Sequence, residues 1–207
     1  MTPGAARQQR MRVGAPAVLA FGSNLGDRVA TIRTALDALR GEPGIRVEAV
    51  SRLYETPALK LDGIDEDAPA YLNAVARIDT VLDPLALLAA VNRVEDALGR
   101  LRAERWGDRT IDIDIVDYDG IVSDDARVTL PHPRAHERAF VLVPWLDVDP
   151  EAVLAGHGRV AELAAQATDP VTPFGAETLE AAEPDDAEPD AAEPDTAEPD
   201  DQDGADR

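Results

Sequence analysis

The chain has 207 residues, a formal net charge of −21 and no cysteine, which excludes a disulfide framework and a thiolate site and argues against a nucleic-acid partner. The charge is unevenly spread: from Ala176 onward there are fourteen acidic residues and one arginine, a net of −13, which leaves −8 for residues 1–175. No apolar run reaches the length of a membrane span, and the opening MTPGAARQQRMRVGAP lacks a continuous apolar stretch, so a cytoplasmic protein without a membrane partner is the expectation.

Residues 1–14, with Arg7, Arg10 and Arg12, read as a flexible extension ahead of one domain over 15–170. AVLAFGS (17–23) is a short buried strand ending in a Gly-Ser turn. Asp27 is placed to cap a helix in which Val29, Ile32, Leu36 and Leu39 recur at helical spacing, with Gly41 at the C-cap. VEAVSRLYET (47–56) alternates as a strand and stops at Pro57. An acid-rich loop (58–70) leads to a further strand, YLNAVARIDT (71–80).

Asp83 followed by Pro84 supplies an N-cap and a proline at the first helical position. Leu85, Leu88, Val91, Val94 and Leu98 then form an apolar stripe up to Gly99. The basic loop RLRAERWGDR delivers the chain to a strand over 111–118. This β-α-β-β-α-β order is the split arrangement of ferredoxin-like α+β domains, with helices packed on a mainly antiparallel sheet and its other face left for a site. C-terminal additions follow: a turn-rich stretch, a short apolar helix and another helix around 159–167. Residues 176–207 carry four copies of AEPD at a five-residue period, a composition that stays disordered and reads as a partner-binding or solubilising tail, or as a tolerated extension.

The stretch RWGDRTIDIDIVDYDG (105–120) sets Asp112 and Asp114 on one strand face. They are either solvated acids or paired ligands for a hard cation such as Mg²⁺, which completes its shell with water and phosphate oxygens. Zinc suits the chain poorly, with three histidines and no cysteine. Arg100, Arg102, Arg105 and Arg109 lie just upstream. Their planar forks suit phosphate oxygens, or they neutralise the acids in surface ion pairs. Trp106 either packs in the core or covers a nucleotide. FGSNLG is not G-x-G-x-x-G, and no G-x-x-x-x-G-K-[ST] loop exists, so a bound nucleotide would be held by side chains.

Asn92 and Glu95, three apart on the second helix, share a face and either meet an adenine or ribose edge or are solvated. Asn73, on a strand face with Tyr71, satisfies its amide with a heterocycle or with loop backbone. In LPHPRAHERAF, His132 is a candidate phosphate contact, and Phe140 a stacking ring or ordinary core.

With these pieces placed, FGSNLGD, SRLYETPAL, YLNAV, RAERWGDRTIDIDI and LPHPRAHERAFVLVP make the chain resemble the 6-hydroxymethyl-7,8-dihydropterin pyrophosphokinase family, in family order over residues 17 to about 150. The resemblance implies transfer of the β,γ-diphosphate of ATP to the pterin hydroxymethyl group, releasing AMP, in folate biosynthesis. It implies two Mg²⁺ ions held by Asp112 and Asp114, with Arg102 and Arg105 also catalytic. It places Asn92, Glu95, Arg105, Trp106, Arg109, Ile115, Arg127, Thr129, His132 and Arg138 around ATP or on mobile loops. Thr56, Pro57, Leu59, Tyr71, Asn73 and Phe140 correspond to the pterin pocket. ATP and the pterin are then the partners, of a monomeric enzyme. The arginine loop RLRAERW is one residue shorter than the family often has. Two other classes stay open at this level: a non-catalytic module that binds a nucleotide or pterin on the same sheet, and a scaffold whose tail recruits a protein.

Overall fold

In β1 (Ala15–Ser23), Ala17, Leu19 and Phe21 face one way and Val18 and Ala20 the other, and all five are buried. The structure is a computed structural model that describes residues 14–60, 63–65, 68–99, 110–175 and 179. Asp27 caps α1 (Arg28–Gly41) as its position in the sequence implies, its carboxylate accepting from the Ala30 N–H at 3.0 Å. Gly41 is the last helical residue rather than the cap. Glu42 takes the extended cap conformation, and the positive φ falls at Gly44, at 87°, where the chain turns into β2 (Ile45–Val50).

The strand expected over 47–56 is two strands, β2 and β3 (Tyr54–Thr56). Ser51 explains the break. Its N–H donates to the Val75 carbonyl, but its hydroxyl, instead of a main-chain carbonyl, accepts from the Val75 N–H, both at 2.9 Å. The ladder is satisfied there without regular strand geometry. The stretch 58–70, expected as a loop, contains a small hairpin of β4 (Ala58–Lys60) and β5 (Gly63–Asp65).

β6 (Tyr71–Thr80) pairs with β1 along one edge and with β2 and β3 along the other. After α2 (Pro84–Ala97), capped by Asp83 onto the Ala86 N–H at 2.9 Å, β7 (Asp112–Tyr118) pairs with the free edge of β1. All these pairings are antiparallel, and α1 and α2 lie on one face, so the α+β ferredoxin-like expectation holds. Leu19, Phe21, Ile32, Leu36, Leu39, Leu72, Ile78, Leu87 and Ile113 form that core. Each wholly buried Leu or Ile there contributes about 1.5–3 kcal/mol.

The other sheet face is not left free. A turn (Ala135–Glu137), α3 (Ala139–Val148), a hairpin of β8 (Val153–Leu154) and β9 (Gly158–Arg159), and α4 (Val160–Gln166) follow β7. Val141, Leu142, Trp145, Leu154 and Val160 pack over Val18, Ala20, Val75 and Val116. Those four strand residues are apolar on the second face and need cover. Toward the ends of the strands the same face turns polar, at Asn73, Asp112 and Asp114, and there the candidate site lies.

Ordered structure also continues past residue 170. β10 (Thr172–Pro173) pairs with β3, and Leu179, inside the stretch expected as tail, is 1% exposed within the main core. The rest of the expected tail from 176 onward and residues 1–13 lie outside the described residues.

Candidate active site

Strand register sets polar side chains in a line across the sheet. Tyr54 pairs with Asn73, Asn73 with Gly22, and Gly22 with Asp112. Directly opposed residues of antiparallel strands share a face, so all four positions look the same way. Asp114 lies on the neighbouring row, opposite Ala20 and through it Val75. Thr56 and Tyr71 pair on the row at the other side of Asn73. Gly22 keeps the middle bare: a Cβ there would sit 3.5 Å from the Asn73 Oδ1 and 3.8 Å from the Tyr71 ring.

Asn73 is 4% exposed, and its Nδ2 donates to the Thr56 hydroxyl at 2.9 Å. That bond fixes which way the amide faces, and the buried Thr56 is held with it. Pro57 is half-buried beside them. Leu59 lies on the backbone of β4, with its side chain outside the described ones.

At the other end of the row, Asp112 and its neighbour Asp114 are both half-exposed. Arg138 Nη1 stands 3.6 Å and His132 Nε2 3.7 Å from the same Asp114 Oδ2. The Arg138 guanidinium also lies 5.4 Å from the centre of the half-buried Phe140 ring, so one arginine connects the aspartate with a flat aromatic surface. His132 is positioned by backbone: its N–H donates to the Val116 carbonyl at 2.9 Å, and its Nδ1 accepts from the Arg134 N–H at 3.2 Å. Burial holds the His132 imidazole below its ordinary pKa; Asp114 pulls it the other way and Arg138 reinforces the lowering. The cis Leu130–Pro131 bond immediately precedes it.

Glu95 is wholly buried, and its Oε1 accepts from the Ile113 N–H at 2.8 Å. Ile113 separates the two aspartates, so a side chain of α2 holds the backbone between them. Replacing Glu95 by alanine leaves that N–H without its partner and should cost about 1–3 kcal/mol of stability in denaturant unfolding. Gln, which keeps an acceptor, should recover most of it; an alanine variant as stable as the parent would contradict this role.

Asn92 is half-buried three residues earlier on α2. Ile115 points its side chain into the main core, on the face opposite the aspartates. Arg127 and Thr129 bond within their own loop: Arg127 pairs with Asp125 at 2.7 Å and the Thr129 hydroxyl donates to the Asp125 carbonyl at 3.3 Å. Arg127 pulls the Asp125 carboxyl down to about 2. Arg102, Arg105, Trp106 and Arg109 lie outside the described residues.

Two contributors went unrecognised in the sequence. Gly22 and Ser23 read as a turn and as part of the FGSNLGD stretch, with no role of their own, yet Gly22 occupies the centre of the polar row, and the Ser23 hydroxyl donates to the Thr110 carbonyl at 2.6 Å, anchoring the chain just before β7. The signal was a Gly-Ser pair at the end of a buried strand.

Residues 18–150 match the family model described as 7,8-dihydro-6-hydroxymethylpterin-pyrophosphokinase (HPPK). A 2-amino-4-hydroxy-6-hydroxymethyldihydropteridine pyrophosphokinase of Methylorubrum extorquens is 43% identical over 164 residues, 79% of this chain and 98% of that protein. The Haemophilus influenzae protein of the same name is 37% identical over 153 residues, 74% of this chain and 93% of that one. Among solved structures, wild-type Plasmodium falciparum HPPK-DHPS with pterin and p-hydroxybenzoate is similar with a TM-score of 0.58 at 17% identity. That likeness is one of fold. It covers 76% of this chain and 44% of the longer one, so this chain spans less than half of that structure.

Proposed function

The chain belongs to the 7,8-dihydro-6-hydroxymethylpterin-pyrophosphokinase family, and from that premise we propose how this site performs the family's reaction. The protein is an ATP-dependent diphosphotransferase of folate biosynthesis: it transfers diphosphate from ATP to 6-hydroxymethyl-7,8-dihydropterin, giving the pterin diphosphate and AMP.

The observation that carries the residue assignment is the row Asn73, Gly22, Asp112, with Asp114 beside it on the same face. Asn73, aimed by Thr56, offers a fixed amide to the amide edge of the pterin. Pro57, Leu59, Tyr71 and Phe140 complete that pocket. The bare Gly22 lets a flat ring lie over the sheet, with its hydroxymethyl arm directed toward the aspartates.

Among the described residues, no group of three or more His, Asp or Glu could hold a metal ion by itself. Two half-exposed carboxylates instead fit an ion that keeps several waters and takes its remaining ligands from phosphate, which is the habit of Mg²⁺. Two Mg²⁺ ions on Asp112 and Asp114 would neutralise the triphosphate and clamp the attacking and leaving oxygens. Arg138 and His132, close to Asp114, would offer donors to the phosphates beside the ions. On the family pattern Arg102, Arg105 and Arg109 would add positive charge, Trp106 would cover the nucleotide, and Asn92, Arg127 and Thr129 would complete its surroundings, while Glu95 and Ile115, whose side chains are buried in the core, would act only through the backbone of β7. No side chain in this set is placed as an obvious general base, so orientation and charge neutralisation carry the rate.

A monomer fits a site whose parts all come from one chain. A cytoplasmic setting fits soluble substrates, and no helix among the described residues is long and apolar enough to cross a membrane. The acidic residues beyond the core-buried Leu179 fit a separate solubilising or protein-binding segment. Removal of divalent metal tests the metal assignment: exhaustive chelation should abolish AMP formation, and added Mg²⁺ should restore it. Undiminished turnover in chelator would contradict it.

A further inference from the structure

Arg28, the first residue of α1, grips the chain on both sides of the connection between β3 and β6. Its Nη1 donates to Glu55 Oε1 at 2.9 Å and to the Ala70 carbonyl at 2.7 Å. Glu55 is the middle residue of β3, and Ala70 immediately precedes β6. Because side chains alternate along a strand, Glu55 points to the face opposite Tyr54 and Thr56, toward α1. One guanidinium therefore ties together the strand carrying Thr56 and the start of the strand carrying Tyr71 and Asn73.

A third partner comes from beyond residue 150, where the match to the family model ends. The Arg28 guanidinium carbon lies 5.5 Å from the centre of the Phe174 ring. Phe174 is placed by β10: Thr172 and Pro173 pair with Glu55 and Tyr54, and the Phe174 N–H donates to the Leu53 carbonyl at 2.9 Å. This C-terminal segment covers the outer edge of β3 and seats an aromatic ring on the same arginine.

The ladder being braced is short. β3 makes three residue pairs with β6, and Thr56 with Tyr71 is the last of them. Strand ends open at low free-energy cost unless something outside the ladder holds them. We propose that Arg28, Glu55 and Phe174 form a positioning clamp that keeps Thr56 and Tyr71 in register with Asn73 and so preorganises the pterin pocket. The proposal rests on the assignment of those three residues to the pterin. None of the clamp residues contacts substrate; they act through the backbone of β3 and β6.

The test is steady-state kinetics with Mg-ATP and 6-hydroxymethyl-7,8-dihydropterin for Arg28→Ala, Arg28→Lys, Glu55→Gln, Phe174→Leu and, as reference, Asn73→Ala. Arg28→Ala should raise the pterin KM by about tenfold, with kcat and the ATP KM within about twofold of the parent. Lys, which keeps the charge but loses the fork, should fall between. Glu55→Gln and Phe174→Leu should shift the same constant in the same direction, and they decide the matter if Arg28→Ala does not fold. If Asn73→Ala leaves the pterin KM unchanged, the pocket assignment beneath the proposal fails. If Asn73→Ala raises it while the clamp variants do not, the clamp alone is overturned. Equal losses in kcat and both KM values would mean general loosening and would also overturn it.

Discussion

Replacing Asp112 or Asp114 by alanine should lower diphosphate transfer by about a thousandfold or more while the domain remains folded. The two halves of this expectation have separate grounds. Both carboxylates are half-exposed on a strand whose opposite face, through Ile113 and Ile115, anchors it in the main core. The contacts of Asp114 to His132 and Arg138 are long, at 3.7 and 3.6 Å, and partly exposed pairs of that kind are worth about 0–1 kcal/mol. Truncating a half-exposed side chain on a strand anchored by its other face costs little stability. The chemistry loses far more, because no third acidic or histidine ligand in a described cluster can substitute for either carboxylate. Rates of AMP formation, read beside thermal unfolding, check both halves. A folded variant with parental turnover would remove the metal role from that aspartate.

Asn73→Ala has the second largest expected effect, a fall of about a hundredfold in kcat/KM for the pterin with the ATP KM unchanged. The side chain is buried, so its removal leaves the Thr56 hydroxyl without its donor as well as the substrate without an amide partner. Those losses compound at one place. Stability should fall too, by about 1 kcal/mol for the lost bond. Asn73→Asp distinguishes amide recognition from simple packing, because it keeps the volume and gives up the Nδ2 donor. An aspartate variant with parental kcat/KM would contradict recognition through the amide.

How far the sequence disclosed this arrangement depended on how local each feature is. Asp83 and Pro84 announce α2 within two residues, and Asp27 announces α1 through a bond to Ala30 three residues away. Alternation in IDIDIV put Asp112 and Asp114 on one face. It could not show that this face also carries Asn73 and Gly22, because that follows from pairing among β6, β1 and β7, three strands far apart in the chain. The covered second face had a trace in the unbroken apolar run AVLAF, since a strand buried on both faces loses its alternation. The break at Ser51 had none, because a hydroxyl in place of a main-chain acceptor depends on where Val75 lies. Arg28 escaped for the same reason: its partners are 27 and 42 residues away, and its aromatic cover comes from near the other end of the domain.

The most direct measurement is product analysis by chromatography and mass spectrometry after incubating the protein with Mg-ATP and 6-hydroxymethyl-7,8-dihydropterin, alongside the Asp112→Ala/Asp114→Ala double variant. The parent should yield AMP and pterin diphosphate in equal amounts. The double variant should bind the pterin and yield neither product. ADP in place of AMP from the parent, or equal product formation by the double variant, would contradict a diphosphate transfer organised on these two aspartates.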